Sequence, residues 1–258
     1  MNAMVIMNNI ELERALNTLL KPEQIKDYCP NGMQVEGKSE VKKIVTGVTA
    51  SLALIDYAIE QNADAILVHH GYFWKGEAAE IRGMKGRRIR QLIKHDINLY
   101  AYHLPLDIHP ELGNNARLAD LLDIEVLGGL EGHPQSVAMY GRFKQPVSGE
   151  VLVTRIAQVL QREPLHITAS DAQRVLTHIG WCTGGGQDFI DLAASQGLDA
   201  FISGEVSERT TYSAREQGID YFAAGHHATE RYGVKALGEW LASEYDLDVS
   251  FVDIDNPV

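Results

Sequence analysis

The 258-residue chain predicts an α/β fold made of two similar βαβ-containing domains from an internal duplication. Three features predict it: a long-range self-similarity, apolar runs alternating with amphipathic stretches, and histidines at the ends of predicted strands. "IVTGVTASLALIDYAIEQNADAILVHH", Ile44 to His70, lies over "IGWCTGGGQDFIDLAASQGLDAFISGE", Ile179 to Glu205, at one constant offset. Ile55-Asp56 then falls on Ile190-Asp191, Ala58 on Ala193, Gln61 on Gln196 and Asp64-Ala65 on Asp199-Ala200. Each copy reads as a β-branched strand, a polar or Gly-rich turn, an amphipathic helix and a second apolar strand, the pattern of a parallel sheet.

Both copies continue alike. A polar helical segment leads to a third strand, "INLYAYH" (Ile97 to His103) in the first and "IDYFAAGHH" (Ile219 to His227) in the second. Each strand is followed by His-x3-acid: His103 with Asp107, and His226 with Glu230. Gly128, Gly129, Gly132 and Pro134 interrupt the pattern, which divides the chain into a half at 1–130 and a half at 131–258, with the C-terminal helix free to pack back on the first half. Within the second half, "GEVLVTRIAQVLQREPLHI" reads as an amphipathic helix that stops before Pro164, then a strand.

Composition narrows the class. A hydrophobic content of 45% supports substantial cores, and a net charge of −12 argues against a general nucleic-acid-coating or anionic-membrane role, while leaving a local basic patch open. Cys29 and Cys182 lie far apart without CxxC spacing, so neither a disulfide framework nor a zinc ribbon is indicated. With no signal-like N-terminus and no run near about 18 apolar residues, a cytoplasmic protein without a membrane span is expected.

In open parallel sheets ligands collect at the carboxyl ends of strands, where His69, His70, His103, His226 and His227 are expected. Alternation sends His69 and His70 apart unless the chain turns, and Gly71 permits a turn, so the pair is able to address two different metal ions. From His226 onward the chain reads as a helix in which Glu230, Val234, Leu237 and Leu241 share one face, with His226 one turn before Glu230. A carboxylate on an apolar face needs a partner, since burying it unpaired costs several kcal/mol; a metal that also engages His226 is one, and solvent at the helix start is another. Pro105 fits a first helical turn, so "HLPLD" bends from strand to helix. His103 is then a ligand, an orienter of one, or an acid-base group. Imidazoles with carboxylates suit Fe, Zn, Mn or Ni. In "GWCTGGGQ" a tight strand-to-helix turn is expected, the alternative being a contact loop whose glycines let backbone amides approach an anion, and Asn31, Asn114 and Asn115 either orient the site or cap turns.

Together "NGMQVEG", "VHHGYFWKG", "YHLPLDIHPELGNN", "GWCTGGGQ", "SGEVSE" and "AGHHATER" resemble the YbgI branch of the Nif-three-like family over nearly the whole chain. The resemblance implies two similar α/β domains, a toroidal homohexamer, and a dinuclear centre of two divalent metal ions per subunit held between the domains. It places the metal ligands at His69, His70, Asp107, His226 and Glu230, and His103 beside them. Members often carry the label GTP cyclohydrolase type 2 homologue, which names no established activity. The leading expectation is a metal-dependent hydrolase of a nucleotide-like or phosphate-bearing compound, with His103 and His227 moving protons. The alternative is a non-enzymatic metal-handling or scaffold protein. An anionic small-molecule substrate is expected because Lys75, Arg82, Lys85, Arg87, Arg88, Arg90 and Lys94 follow the paired histidines against only Glu77 and Glu80.

Overall fold

The computed structural model describes residues 6–169 and 173–258. In chain order its elements are β1 (Met7–Asn8), α1 (Asn9–Leu20), β2 (Gly32–Val35), β3 (Glu40–Val41), β4 (Lys43–Thr49), α2 (Leu52–Glu60), β5 (Ala65–His70), α3 (Gly83–Lys94), β6 (Asn98–Ala101) and α4 (Leu104–Asp107). Then come α5 (Asn114–Leu121), β7 (Ile124–Gly129), β8 (Met139–Ser148), α6 (Gly149–Leu160), β9 (Leu165–Ile167), β10 (Val175–Cys182), α7 (Ile190–Ser195), β11 (Ala200–Ser203), α8 (Glu208–Gln217), β12 (Asp220–Ala223), α9 (His226–Tyr245) and β13 (Asp248–Phe251). No described helix is long and apolar enough to cross a membrane.

The chain forms two compact units, Met1–Leu106 with Gly233–Asp255, and Asp107–Tyr232 with Asn256–Val258. The division expected at 130/131 therefore falls inside the second unit. The glycines that prompted it lie at the end of β7 and in the loop beyond, and β7 pairs antiparallel with β8. There the glycines serve a hairpin, and a hairpin keeps both strands in one sheet.

In the first unit the sheet runs β13-β4-β5-β6-β2. Strands β13, β4, β5 and β6 are parallel, and β2 closes one edge antiparallel to β6. Val45, Ile66, Val68 and Leu99 join Leu54 and Ile55 of α2 and Ile89 and Leu92 of α3 in one core cluster. Ser51 caps α2, its Oγ accepting from the Leu54 N–H at 3.2 Å, which satisfies a donor that helix geometry leaves orphaned.

In the second unit the order is β7-β8-β10-β11-β12-β9. Strands β10, β11 and β12 are parallel, β9 is antiparallel on β12, and β8 is antiparallel on β10. Strand alternation sorts its side chains into two clusters: Ala200, Ile202 and Phe222 pack with Leu152, Ile156 and Leu160 of α6, while Phe201, Tyr221 and Ala223 pack with Ile190 and Ala193 of α7 and Ala214 of α8.

The third strands are shorter than expected. β6 stops at Ala101 and β12 at Ala223. His226 and His227 consequently begin a helix, released from the strand by Gly225 at φ +96, a value that glycine adopts without steric cost. Along that helix Glu230, Val234, Leu237 and Leu241 are all buried, as the four-then-three spacing requires.

Candidate metal centre

In the first unit β5 continues through both histidines, with His70 paired to Thr49 of β4. No turn separates them, and Gly71 serves packing instead: a Cβ there would lie 2.2 Å from Gln34 Oε1 and 2.6 Å from Ala101 Cβ. The positive φ values in this loop belong to Phe73 at +65 and Gly76 at +87. By parity the two histidines leave opposite faces, yet at the strand end their ring centroids are 4.5 Å apart. The His103 ring stands 5.0 Å from His69 and 5.7 Å from His70. One nitrogen from each of the three lies within 4.8 Å of the other two.

The second nitrogen of each ring is occupied. His69 Nδ1 is 2.9 Å from the Tyr102 carbonyl oxygen. A carbonyl only accepts, so Nδ1 carries a proton. His70 Nδ1 lies 3.2 Å from Thr49 Oγ1, and His103 Nδ1 lies 2.7 Å from Asp27 Oδ1. Trp74 meets the His103 ring edge-on at 4.9 Å. Donors bonded to one zinc-like ion at about 2.0–2.1 Å sit roughly 3–4 Å apart. Three imidazoles this close, each steadied through its Nδ1, fit a divalent transition metal. Asp27, Cys29 and His103 form a second close set. Burial, reinforced by the Asp27 charge, pushes the Cys29 thiol up to about 12.

In the second unit Asp107 ends α4 and is 7% exposed. Its Oδ1 accepts from Asn114 Nδ2 at 2.8 Å and from Thr183 Oγ1 at 3.4 Å. Asn115 Nδ2 donates to the Asp107 carbonyl at 3.3 Å, and its Oδ1 takes the Thr183 N–H at 3.1 Å. Asn114 therefore orients the Asp107 carboxylate, and Asn115 holds its backbone. His226 and Glu230, one turn apart on α9, approach to 3.3 Å through Nε2 and Oε2, while His226 Nδ1 lies 2.7 Å from Glu205 Oε1. Burial works against a charged His226, but Glu230 and Glu205 outweigh it and push its pKa up to about 9. Two carboxylates around one imidazole thus favour positive charge here, whether from a proton or from a metal that displaces it.

The glycine-rich loop explains itself beside these acids. Gly184 has φ +62, and a Cβ on it would lie 2.0 Å from Glu230 Oε1 and 3.0 Å from His226 Nε2. Its N–H donates to Thr229 Oγ1 at 3.0 Å and its carbonyl accepts from Ser203 Oγ at 3.0 Å. The turn is tight so that Glu230 has room. Burial, with Asp107, Glu230 and Glu131 nearby, holds the Cys182 thiol well above its ordinary range, which suits a packing residue. His227 is buried, and the helix turns it about 100° from His226.

Asp27 received no site role from the sequence, and Thr183, Gly184 and Glu205 appeared there only as parts of motifs. The one local signal for Asp27 is its place in "DYCPNG", four residues before Asn31. Among the basic residues expected near an anion, Lys75, Arg82, Arg87, Arg90 and Lys94 are exposed, whereas Lys85 pairs with Glu77 at 3.3 Å and Arg88 is half-buried.

The profile of the Duf34/NIF3 (NGG1p interacting factor 3) family matches residues 7–257. A Vibrio cholerae protein named GTP cyclohydrolase 1 type 2 homolog is 72% identical over 252 residues, covering 98% of this chain and 100% of the relative. Its counterpart of the same name in Escherichia coli K12 is 57% identical over 251 residues, covering 97% and 100%. A solved structure described as protein ybgI, of unknown function, aligns with TM-score 0.94 at 56% identity over 98% of this chain and 100% of that one. Reduced HcgD from Methanocaldococcus jannaschii aligns with TM-score 0.85 at 25% identity over 98% and 100%.

Proposed function

We propose that this chain, which belongs to the Duf34/NIF3 family, is a dinuclear metal protein and a metal-dependent hydrolase of a nucleotide-like or phosphate-bearing substrate. His69, His70, Asp107, His226 and Glu230 are its ligands. The observation that carries this reading is the donor chemistry within each unit: the His69 and His70 imidazoles with the His103 ring close beside them in the first, and an imidazole between two carboxylates in the second. Bound divalent ions supply Lewis acidity for attack on an electrophilic oxygen-bearing centre. The chain's own residues hold and orient. Tyr102 and Thr49 set the rings of His69 and His70, Asn114 and Thr183 aim Asp107, and Gly184 leaves space for Glu230. His103, backed by Asp27, is the stronger proton carrier; His227 is the second. Arg82, Arg87, Arg90 and Lys94 favour an anion, and the name shared by the relatives favours a nucleotide-like one.

In this reading the two units descend from one duplicated ancestor, and the chain works in the cytoplasm as a ring-shaped homohexamer; a monomer by light scattering at micromolar concentration would remove the hexamer. A second reading, metal handling without catalysis, is favoured by the Asp27–Cys29–His103 set, which shares His103 with the three imidazoles and would add a soft sulfur donor once a metal displaced the Cys29 proton. Elemental analysis of protein purified without chelator, followed by a substrate panel and a metal-transfer assay with that metal, separates the two. Glu230→Gln and His226→Ala are each expected to lower metal content sharply while circular dichroism stays native. Full occupancy in both would sink the ligand set.

A further inference from the structure

We infer that Asp27 is a positioning residue for His103, fixing that ring with its proton on Nδ1, so that Nε2 is the basic nitrogen it brings to His69 and His70. The inference rests on the metal reading for its purpose, though not for its geometry. Asp27 Oδ1 meets His103 Nδ1 at 2.7 Å and takes the Tyr28 N–H at 2.5 Å. Its Oδ2 accepts from Asn31 Nδ2 at 2.9 Å and from the Leu104 N–H at 3.0 Å. Asn31 Oδ1 accepts the His103 N–H at 2.7 Å. The loop around residues 27–31 thus grips both the backbone and the ring of a residue far along the chain.

The two oxygens divide the work. Oδ2 and Asn31 secure the backbone, which would suffice for a structural anchor. Oδ1 adds a carboxylate aimed at the ring. The Asp27 side chain is only 3% exposed and offers acceptors alone when ionised, so a neutral imidazole can meet it only with N–H. Free imidazole takes either tautomer; here one is selected, in the manner of carboxylate–histidine pairs that orient metal ligands. Trp74, edge-on at 4.9 Å, and Tyr28 at 6.4 Å flank the ring.

The test is the His103 tautomer, read from long-range 1H–15N correlations of metal-free protein at about pH 8.5, some two units above the ordinary imidazole value. Wild type is expected to show Nδ1–H with unprotonated Nε2, and Asp27→Asn to move most of the population to Nε2–H. Asn31→Ala, which loosens the backbone grip and leaves Oδ1 in place, is expected to keep the wild-type tautomer. An Nε2–H ring in the wild type overturns the inference even if no variant folds, and so does an unchanged ring in Asp27→Asn. Zn2+ titration adds a second reading, with affinity expected to fall roughly 10–100-fold in Asp27→Asn; wild-type affinity there would refute the purpose assigned to Asp27. Were wild type to take up no Zn2+, the metal function would fail while the tautomer result stood.

Discussion

The two units share a four-strand order, β4-β5-β6-β2 and β10-β11-β12-β9, and use it for different chemistry. In each, a twelve-residue helix, α1 or α6, precedes an antiparallel edge strand and then three parallel strands. An aspartate clasps the start of the first parallel strand in both. Asp64 Oδ2 accepts from Lys42 and Lys43 N–H at 2.8 and 2.9 Å, and Asp199 Oδ2 accepts from Thr177 and His178 N–H at 2.9 Å each. Differences gather at the strand exits. Where the first unit has Thr49, whose hydroxyl meets His70, the superposed repeat has Gly184, whose missing side chain makes room for Glu230. His70 itself superposes on Glu205, which holds His226. The scaffold positions match for backbone reasons, and the exit positions differ in donor type.

The sharpest way to break the comparison lies at the third strand. Asn98 and Asp220 occupy its matching start, both fully buried. Asn98 Nδ2 donates to the Lys38 and Asp64 carbonyls at 2.8 and 3.1 Å, and its Oδ1 accepts from Asn9 and Gly37. Asp220 instead meets His166 Nε2 at 2.9 Å and the Ala169 N–H at 3.1 Å. Asn98→Asp would aim a buried carboxylate at two carbonyl oxygens and is expected to cost about 3–5 kcal/mol. Asp220→Asn keeps an acceptor and is expected to cost about 1 kcal/mol. Native-state hydrogen exchange reads each unit by itself, and equal losses would refute the asymmetry. Lowering the pH should shrink the Asn98→Asp deficit, since a protonated carboxyl donates again.

Next in size is Gly184→Ala, expected to cost about 1–3 kcal/mol through overlap with Glu230 and a left-handed backbone, with reduced metal content. Gly185→Ala, whose Cβ would meet nothing nearer than Glu205 at 3.7 Å, should be close to neutral. Similar effects from both would show that the loop, and not the Glu230 contact, sets the requirement.

The smallest effect belongs to the clasps. Asp64→Ala and Asp199→Ala are each expected to cost roughly 1 kcal/mol, because the partly exposed N–H groups regain water. Asp64 also adds a pH dependence. Burial opposes its charge, but Lys38 and the Lys43 and Lys42 N–H groups outweigh burial and hold its carboxyl below the usual range. A lowered folded pKa contributes stability that is complete above the unfolded value of about 3.9 and is lost as pH falls through the folded one. Asp64→Ala should flatten that part of the acid-unfolding curve; an unchanged curve would exclude the clasp as its source.

Much of this was legible in the residues. The superposed repeats located β4, α2, β5 and β10, α7, β11, and the helical spacing from His226 put Glu230 on a buried face. What escaped reading is what folding brings from afar. Asp27 and His103 meet across 76 positions, and Asn115 and Thr183 across 68, distances over which no periodicity operates. The 106/107 boundary escaped because it falls inside α4, where no glycine or composition change marks it. Gly71 and Gly184 announced themselves as glycines, but which neighbour forbids a side chain is a property of packing alone.

The margins of the two sheets bear on how the chain behaves at high concentration. The first has one antiparallel border strand, β2, and the second has two, β7 and β9, and each border is short or broken. β2 slips register between Met33 and Val35, β7 between Val126 and Gly128, β9 has three residues and β13 four. An amyloid-like template needs a longer, flat row of free N–H and C=O groups. Strand addition at these borders is therefore disfavoured, and the chain can carry apolar parallel strands at its centre without offering their pattern to a neighbour.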